Sequence, residues 1–274
     1  PPSISPSPRS KPHWASDAGT DGFGEWAEIS VRSGLLRPVV QRLRLIPAGQ
    51  FLMGSPNGVG FDWEHPQIRV TFKEAFWLFD TPVTQALWQA VMGNNPSHFK
   101  GPNRPVECVS WDDARKFAAA LNRKIPGLEL GLPSESQWEY ACRAGTTGDR
   151  YHEDVDAIAW YGGNSGGRTH DVKGKLPNRW GLYDMLGNVE EWCEDVYART
   201  HNGASPDGAP RAAHSSDASG VATRVVRGGY WFDGAAHVRS AFRGDFHPSG
   251  RYGVIGFRPA RVPQRSVGGA PTPT

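Results

Sequence analysis

Three features of this sequence have residue types and spacings that could do chemistry: its cysteines, a Gly-x-Ser-x-Gly string and an acidic pair. Cys108, Cys142 and Cys193 stand far apart, and no two of them have zinc-site or redox spacing. The string GNSGG at 163–167 fits the pattern around a hydrolase nucleophile, but without a recognisable strand-to-helix setting or His and Asp partners. We therefore interpret the cysteines as small buried side chains and the string as a glycine-rich turn.

The acidic pair is Glu190 and Glu191 in LGNVEEWCED, and carboxylate oxygens are ligands that calcium prefers. Nine histidines are scattered along the chain with neither a His-Glu-x-x-His string nor a close pair on a helix. We expect these histidines to be structural or to lie on the surface.

The composition indicates a globular protein and excludes two classes of partner. Of 274 residues, 38% are hydrophobic and 21% charged, and the net charge of +2 comes without any Lys/Arg cluster. No apolar run approaches the roughly 20 residues that span a bilayer. We expect no nucleic-acid partner and no membrane insertion. No signal peptide is visible in PPSISPSPRSKPHW, which leaves the localisation unknown.

The elements that must position these residues follow an α+β pattern. Alternating stretches at 39–55 and 67–84 predict strands, and capping residues predict three helices. The predicted helix starts and stops are Thr84 to Gly93, Ser110 with Asp113, and Ser134 with Gln137 to Gly145. After Thr146 the chain is rich in Gly, Asn and Pro, with short strand-like pieces LYDMLGNVEEW, TRVVRGGYW, HVRSAFR and VIGFRPARV.

Composition also predicts the domain boundaries. Residues 1–38 begin Pro/Ser/Gly-rich and lack sustained periodicity, so we predict a loosely attached N-terminal leader. Residues 39–263 show no break and are predicted to form one domain, followed by a disordered tail at 264–274.

Six strings in matching order resemble the formylglycine-generating-enzyme-like (sulfatase-modifying-factor) domain. They are PAGQFLMGS, TPVTQALWQAVMG, RPVECVSWDDARKFAAALN, LPSESQWEYACRAG, GLYDMLGNVEEW and the spaced string RVVRGGYW…R…AFR…IGFR. The resemblance implies a C-type-lectin-like fold with mostly antiparallel strands, few helices and long stretches of fixed loop. It does not by itself imply an activity, because function depends on the site.

Two enzymatic branches of this family are not matched at their functional residues. The oxidase members resemble one another in a C-terminal cysteine pair that binds copper and the target peptide, whereas residues 227–258 contain no cysteine. The iron-dependent members carry a helical bundle that supplies histidines, whereas only His13 precedes the matched region. We therefore expect a protein that is not an enzyme.

The C-terminal segment resembles a third branch, the variable proteins of diversity-generating retroelements. In those proteins, error-prone copying at the adenines of AAC codons never yields Lys, Glu, Gln, Met or Trp. The resemblance implies a variable region at about 230–258 whose diversified residues bind the ligand. All of the implied positions carry residues that AAC can yield: Tyr230, Phe232, Asp233, Gly234, His237, Phe242, Gly244, Asp245, Phe246, His247, Ser249, Gly250, Tyr252, Gly253 and Val254.

Between these positions lie residues predicted to hold the segment in place. Arginines can hold carbonyls and carboxylates with their planar guanidinium groups, and Trp231 and Phe257 are predicted core residues. We expect Phe232, Phe246 and Tyr252 to be exposed and to provide rigid contact area. The predicted holding residues are Arg227, Trp231, Arg239, Arg243, Arg251 and Arg258.

The resemblance also implies calcium near Asn188, the Val189 carbonyl and Glu191, while Lys173 stands where relatives place an aspartate for a second ion. We expect no required cofactor and keep calcium as a hypothesis. The sequence favours a ligand-binding display protein whose partner is a protein or another macromolecule. The alternatives are a cysteine-dependent, copper-using oxidase with displaced residues and a non-catalytic accessory domain.

Overall fold

The computed structural model of the chain describes residues 10–32, 34, 37–212 and 222–261. Within these ranges the strands are β1 (Asp17–Asp21), β2 (Gly24–Val31), β3 (Val39–Ile46), β4 (Gly49–Met53), β5 (Ile68–Phe72), β6 (Phe76–Phe79), β7 (Leu130–Gly131), β8 (Glu190–Val196), β9 (Arg224–Arg227), β10 (Arg243–Phe246), β11 (Ile255–Gly256) and β12 (Ala260–Arg261). The helices are α1 (Gln85–Met92), α2 (Trp111–Lys124), α3 (Glu135–Arg143) and α4 (Val155–Ile158), with a 3-10 turn at Asp62–Glu64.

The strands form three sheets. A six-stranded sheet has the order β1-β2-β3-β6-β12-β7, a four-stranded sheet has the order β10-β9-β8-β11, and β4 pairs with β5. All of these pairings are antiparallel except that of β11 with β8. This sheet-rich architecture with few helices confirms the predicted α+β, C-type-lectin-like class.

Strands β1 and β2 correct the prediction of a loosely attached leader. They form a hairpin with Asp21 opposite Gly24, and β2 pairs with β3 from Trp26 to Val31. The side chains of Ala27, Ile29 and Val31 alternate into the core, a period of two that the surrounding Pro- and Gly-rich composition obscured. Residues 1–9 and the predicted tail at 264–274 lie outside the described residues.

The three predicted helices are confirmed at their caps. The Thr84 hydroxyl accepts a hydrogen bond from the Leu87 amide at 3.3 Å, and Gly93 ends α1 with a φ of 81°. Complete capping boxes begin α2 and α3 at the predicted serines. One difference is that Ala144, which directly follows α3, itself takes the left-handed conformation before Gly145.

Three predicted strand regions have a different arrangement. Strands β3 and β4 follow each other in the chain but belong to different sheets. The piece LYDMLGNVEEW is a strand only from Glu190 onward, and HVRSAFR is a strand only from Arg243 onward. Side chains hold the irregular parts instead: the buried Asn188 amide, for example, bonds to the backbone of His170 in both directions.

Four buried arginine–glutamate pairs, here called the anchor pairs, join the C-terminal segment to the rest of the molecule. They are Arg227–Glu139, Arg239–Glu64, Arg243–Glu135 and Arg258–Glu191. The glutamates come from the 3-10 turn, from α3 and from β8. Arg251, predicted to act in the same way, is instead exposed and pairs with Asp113 at the surface, 2.7 Å away.

Three of the four anchor pairs have the planar, two-bonded geometry expected of guanidinium and carboxylate groups, whereas Arg227 donates to Glu139 through one nitrogen only. Arg243 donates to both oxygens of Glu135 at 2.6 Å, and Arg258 donates to both oxygens of Glu191 at 2.7 Å. Burial alone would raise the pKa of Glu135, but the charges of Arg243 and Arg227 and the hydrogen bonds from Arg243 lower it to about 2. The Arg243–Glu135 pair therefore remains ionised although it lies inside the protein.

The anchor pairs give the first prediction. Replacing Arg258 by Met leaves Glu191 buried without its partner, which costs about 3–5 kcal/mol of unfolding free energy. Replacing the exposed Arg251 by Met removes only a surface pair and changes the same quantity by less than about 1 kcal/mol. Urea unfolding of the two variants beside the parent protein measures both values. Equal losses would show that the buried pair does not anchor the segment.

Candidate functional site

Burial separates the C-terminal segment into two interleaved sets of residues. The four anchor arginines are buried, as are Val225, Val226 and Phe257. The predicted variable positions are all exposed or half-buried; Phe232 is 69% exposed and Tyr252 43%. The chain therefore alternates between side chains that join the interior and side chains that reach the surface.

The glycines of the segment divide in the same way. Gly228 and Gly229 have φ values of 103° and 69°, and a Cβ on Gly228 would lie 2.9 Å from the Met185 carbonyl oxygen. These two positions therefore require glycine. Glycines at predicted variable positions lie outside the left-handed region, and a Cβ on Gly234 would meet nothing within 4 Å.

The other variable glycines have tighter surroundings. At Gly253 the nearest contacts of a Cβ would be ordinary ones of 3.6 and 3.9 Å, and at Gly244 it would lie 3.3 Å from a Val226 methyl group. At Gly250 the first contact, 2.5 Å, is with the Tyr252 ring. A side chain at Gly234, Gly253 or Gly244 requires at most local adjustment. At Gly250 it would also lie 3.0 Å from the His247 carbonyl oxygen, so both the tyrosine and the backbone of the turn must move.

An aromatic group at one side of the segment includes residues that sequence reasoning missed. The rings of Phe61 and Trp63 are stacked with their centroids 4.7 Å apart, and the His237 ring stacks on Phe61 with a centroid distance of 5.6 Å. Phe242 lies 4.8 Å from His237. Phe61 and Trp63 come from a loop far away in sequence; aromatics within the loop string GFDWEHP were the available signal.

A second aromatic group surrounds Trp231 and corrects its predicted place in the core. Trp231 is half-buried, and its indole donates to the Gly253 carbonyl at 2.9 Å. Its ring meets Phe99 edge-on at 5.3 Å and touches the exposed Phe232 at 5.5 Å. Trp231 therefore supports the surface from just beneath it. Phe257, by contrast, is fully buried as predicted.

The third group, Phe246 and Tyr252, has ring centroids 5.0 Å apart. Tyr252 is exposed as predicted, but Phe246 is half-buried because it packs edge-on against the buried Trp192 at 6.4 Å. Val254 also packs against the core from a half-buried position. Beyond β10, His247, Ser249 and Gly250 form a turn in which the Gly250 amide donates to the His247 carbonyl at 2.8 Å.

The polar centre of the surface is acidic. The Asp233 carboxylate accepts from the Tyr230 amide at 3.1 Å and lies 3.4 Å from the His237 ring nitrogen. Burial raises the pKa of Asp233. Beneath it, burial and then the charge of Asp233 raise the pKa of Glu190 to about 8. Asp245 lies exposed on β10.

The residues that the resemblance implies for calcium do not fit the ion. Both Glu191 oxygens accept from Arg258, and one also accepts from the Trp138 indole at 2.8 Å. The Asn188 amide oxygen accepts from the His170 amide at 3.0 Å. Lys173 places its ammonium 2.7 Å from the Asp80 carboxylate. In the described residues, no group of three or more His, Cys, Asp or Glu side chains could hold a metal ion.

The cysteines and the serine string lack the environment of a nucleophile. Burial, and then Glu107, raise the pKa of Cys108 to about 11, and burial raises that of Cys142 to about 12. Cys193 is fully buried, and its pKa is also raised by burial. The Ser165 hydroxyl is buried and donates to the Trp231 carbonyl at 2.6 Å, which fits the predicted turn.

Comparisons with known proteins agree with this geometry. Treponema denticola variable protein 1 superposes with a TM-score of 0.73 at 32% sequence identity, covering 86% of this chain and 99% of that one. The formylglycine-generating enzyme of Streptomyces coelicolor is 31% identical over 207 residues, covering 69% of this chain; the match spans only 62% of the enzyme's length. The inactive Cα-formylglycine-generating enzyme 2 of Mus musculus is 28% identical over 261 residues, covering 69% of this chain and 74% of that protein.

None of the described helices has the length and apolar composition needed to cross a lipid bilayer. Residues 37–263 match the sequence profile of the Sulfatase-modifying factor enzyme 1-like domain, which is most of the chain. The six strings, the antiparallel sheets and the superposition lead to the same family. The chain therefore belongs to the sulfatase-modifying factor enzyme 1-like family and has its C-type-lectin-like fold.

Proposed function

We propose that this protein displays a diversified surface that binds a protein or another macromolecule. The variable surface consists of the predicted variable positions, from Tyr230 to Val254, together with Phe61 and Trp63. The observation that carries the proposal is the separation within one segment: residues that hold the fold are buried, and the positions between them are solvent-accessible. A scaffold needs this separation if its binding residues are to change without loss of folding.

The chemistry of the surface suits macromolecular recognition. Three aromatic groups provide rigid contact area, which is the main component of binding hot spots. Asp233, Asp245 and His247 provide polar contacts between them. The surface has no cluster of Lys or Arg, so the proposal does not extend to nucleic acid. A variable protein from Treponema denticola that covers most of this chain supports the same function.

The Streptomyces relative is a formylglycine-generating enzyme, which favours a second candidate function. This is the activity implied by the resemblance to the oxidase members, copper-dependent oxidation of a cysteine-containing peptide. It would need a thiolate, and burial raises the pKa of all three cysteines. We predict no turnover of a cysteine peptide by the copper-loaded protein, measured by mass spectrometry of the peptide. Turnover by the parent protein that is lost in the Cys108→Ser variant would contradict the binding function and support the oxidase function.

The exposed aromatics give a stability prediction. Replacing Phe232 and Tyr252 together by Ala should change the unfolding free energy by less than about 1 kcal/mol, because neither side chain is buried. The matched control is Phe257→Ala in the same segment, which removes a fully buried ring and costs about 3–5 kcal/mol. Urea unfolding measures both. A large loss from the exposed pair would show that these residues support the fold.

A library tests the display function itself. Codons with any base at the first two positions and C at the third are introduced at the predicted variable positions. We expect most clones to resist proteolysis and selection on an immobilised protein, such as lysozyme, to yield binders. A control library applies the same codons to the four anchor arginines, where we expect most clones to be digested. Equal digestion of the two libraries would contradict the proposal.

A further inference from the structure

Glu190, at the start of β8, is a buried carboxyl group without a partner. It is 4% exposed, and in the described part of the chain its side chain makes no hydrogen bond or ion pair. Its neighbour Glu191, whose side chain lies on the other face of the strand, is bound by Arg258 and Trp138. Since buried polar groups are normally hydrogen-bonded within the protein, the unpaired carboxyl group of Glu190 is an exception.

The surroundings of Glu190 place it directly beneath the variable surface. A Cβ built on Gly244 would lie 3.5 Å from a Glu190 oxygen, so glycine at this variable position leaves that oxygen uncovered by a side chain from β10. The Glu190 amide donates to the Val254 carbonyl at 2.8 Å, so its backbone is bonded directly to a second variable position. Asp233 and Tyr230 approach it from the loop after β9.

The acidic groups around Glu190 indicate that a ligand at this site would be a cation. Asp233 adds a second carboxyl group, and His237, 3.4 Å from Asp233, is the basic side chain beside that pair. An organic cation would meet the carboxyl groups of Glu190 and Asp233, with Tyr230 beside them. A metal ion is less suited, because the described residues provide no set of three ionisable ligands.

We propose that Glu190 is a fixed acidic subsite of the variable surface that binds an ammonium or guanidinium group of the ligand. The inference rests on the proposed display function, because it treats the surface above Glu190 as the place where the ligand lies. Glu190 itself belongs to β8 rather than to the predicted variable positions. Neighbouring variable residues, with glycine at 244 in this chain, then decide whether a cation reaches it.

The test uses n-butylammonium as the probe and 1-butanol as its uncharged counterpart. The protein is labelled with ¹³C at the glutamate side-chain carboxyl carbons, and each probe is titrated at pH 9, above the pKa of about 8 of Glu190. We expect the Glu190 signal to shift with n-butylammonium and to remain in place with 1-butanol. Nα-acetyl-lysine N-methylamide distinguishes a peptide side chain from a free amine; a shift with either cation supports the subsite.

Three variants complete the test. Glu190→Gln should weaken binding of the cation at least about tenfold, since one hydrogen-bonded charge contributes that much. Gly244→Val keeps the carboxyl group but covers it, and should weaken binding to a similar degree. Glu74→Gln removes an exposed carboxylate on another loop and should leave the affinity unchanged.

The subsite is overturned if neither cation shifts the Glu190 signal, if Glu190→Gln binds as well as the parent, or if magnesium or calcium binds there and the organic cations do not. These results leave the display function standing when the library of variable positions still yields folded binders. If that library yields no folded binders but the Glu190 signal still responds to the cations, the subsite stands and the display function is contradicted.

Discussion

Four guanidinium–carboxylate pairs, buried between the C-terminal segment and the constant part of the protein, determine where that segment lies. A buried charge without a partner costs several kcal/mol, so each arginine is stable only where its glutamate faces it. Such pairs add little net stability over apolar packing, but they are specific in position. Because the glutamates lie on the 3-10 turn, α3 and β8, the segment is fixed from three directions.

This constraint explains how the irregular loop between β9 and β10 can be held in one conformation without the hydrogen bonds of a sheet. Between β9 and β10 the backbone has no strand partner, yet Arg227 and Arg239 hold its carbonyl groups as well as their glutamates. Positive-φ glycines at 228 and 229 allow the chain to turn close to Met185. The predicted variable positions in between are exposed or half-buried and make no buried ion pair, which is why aromatic, acidic and glycine residues can stand there side by side.

Local signals in the sequence predicted part of this structure well. The capping residues of α1, α2 and α3 act within one turn of their own helix, so the helices could be located without tertiary information. The β1–β2 hairpin was missed because its alternation is short and flanked by Pro and Gly. The pattern of apolar and polar residues predicts only the α+β class. The C-type-lectin-like fold is predicted by the resemblance to the family.

The sequence predicts most residues of the variable surface, but not which residues of other elements they contact. Arginines were expected to hold carboxylates, whereas the identity of each glutamate depends on contacts between residues far apart in the chain. Phe61 and Trp63 joined the surface for the same reason. The predictions of a core position for Trp231 and an exposed position for Phe246 are wrong, since both side chains are half-buried. The type of a side chain does not determine how far it is buried.

Sequencing the DNA downstream of the gene tests the central claim most directly, because diversification leaves a record there. The account predicts a near-copy of the 3′ segment that differs from the gene only where the copy has adenine, with the differing codons at the variable positions and with a reverse-transcriptase gene beside it. The codons of Arg227, Arg239, Arg243 and Arg258 should be identical in both copies. Absence of any such copy, or differences that fall equally on the anchor arginines, would contradict the account.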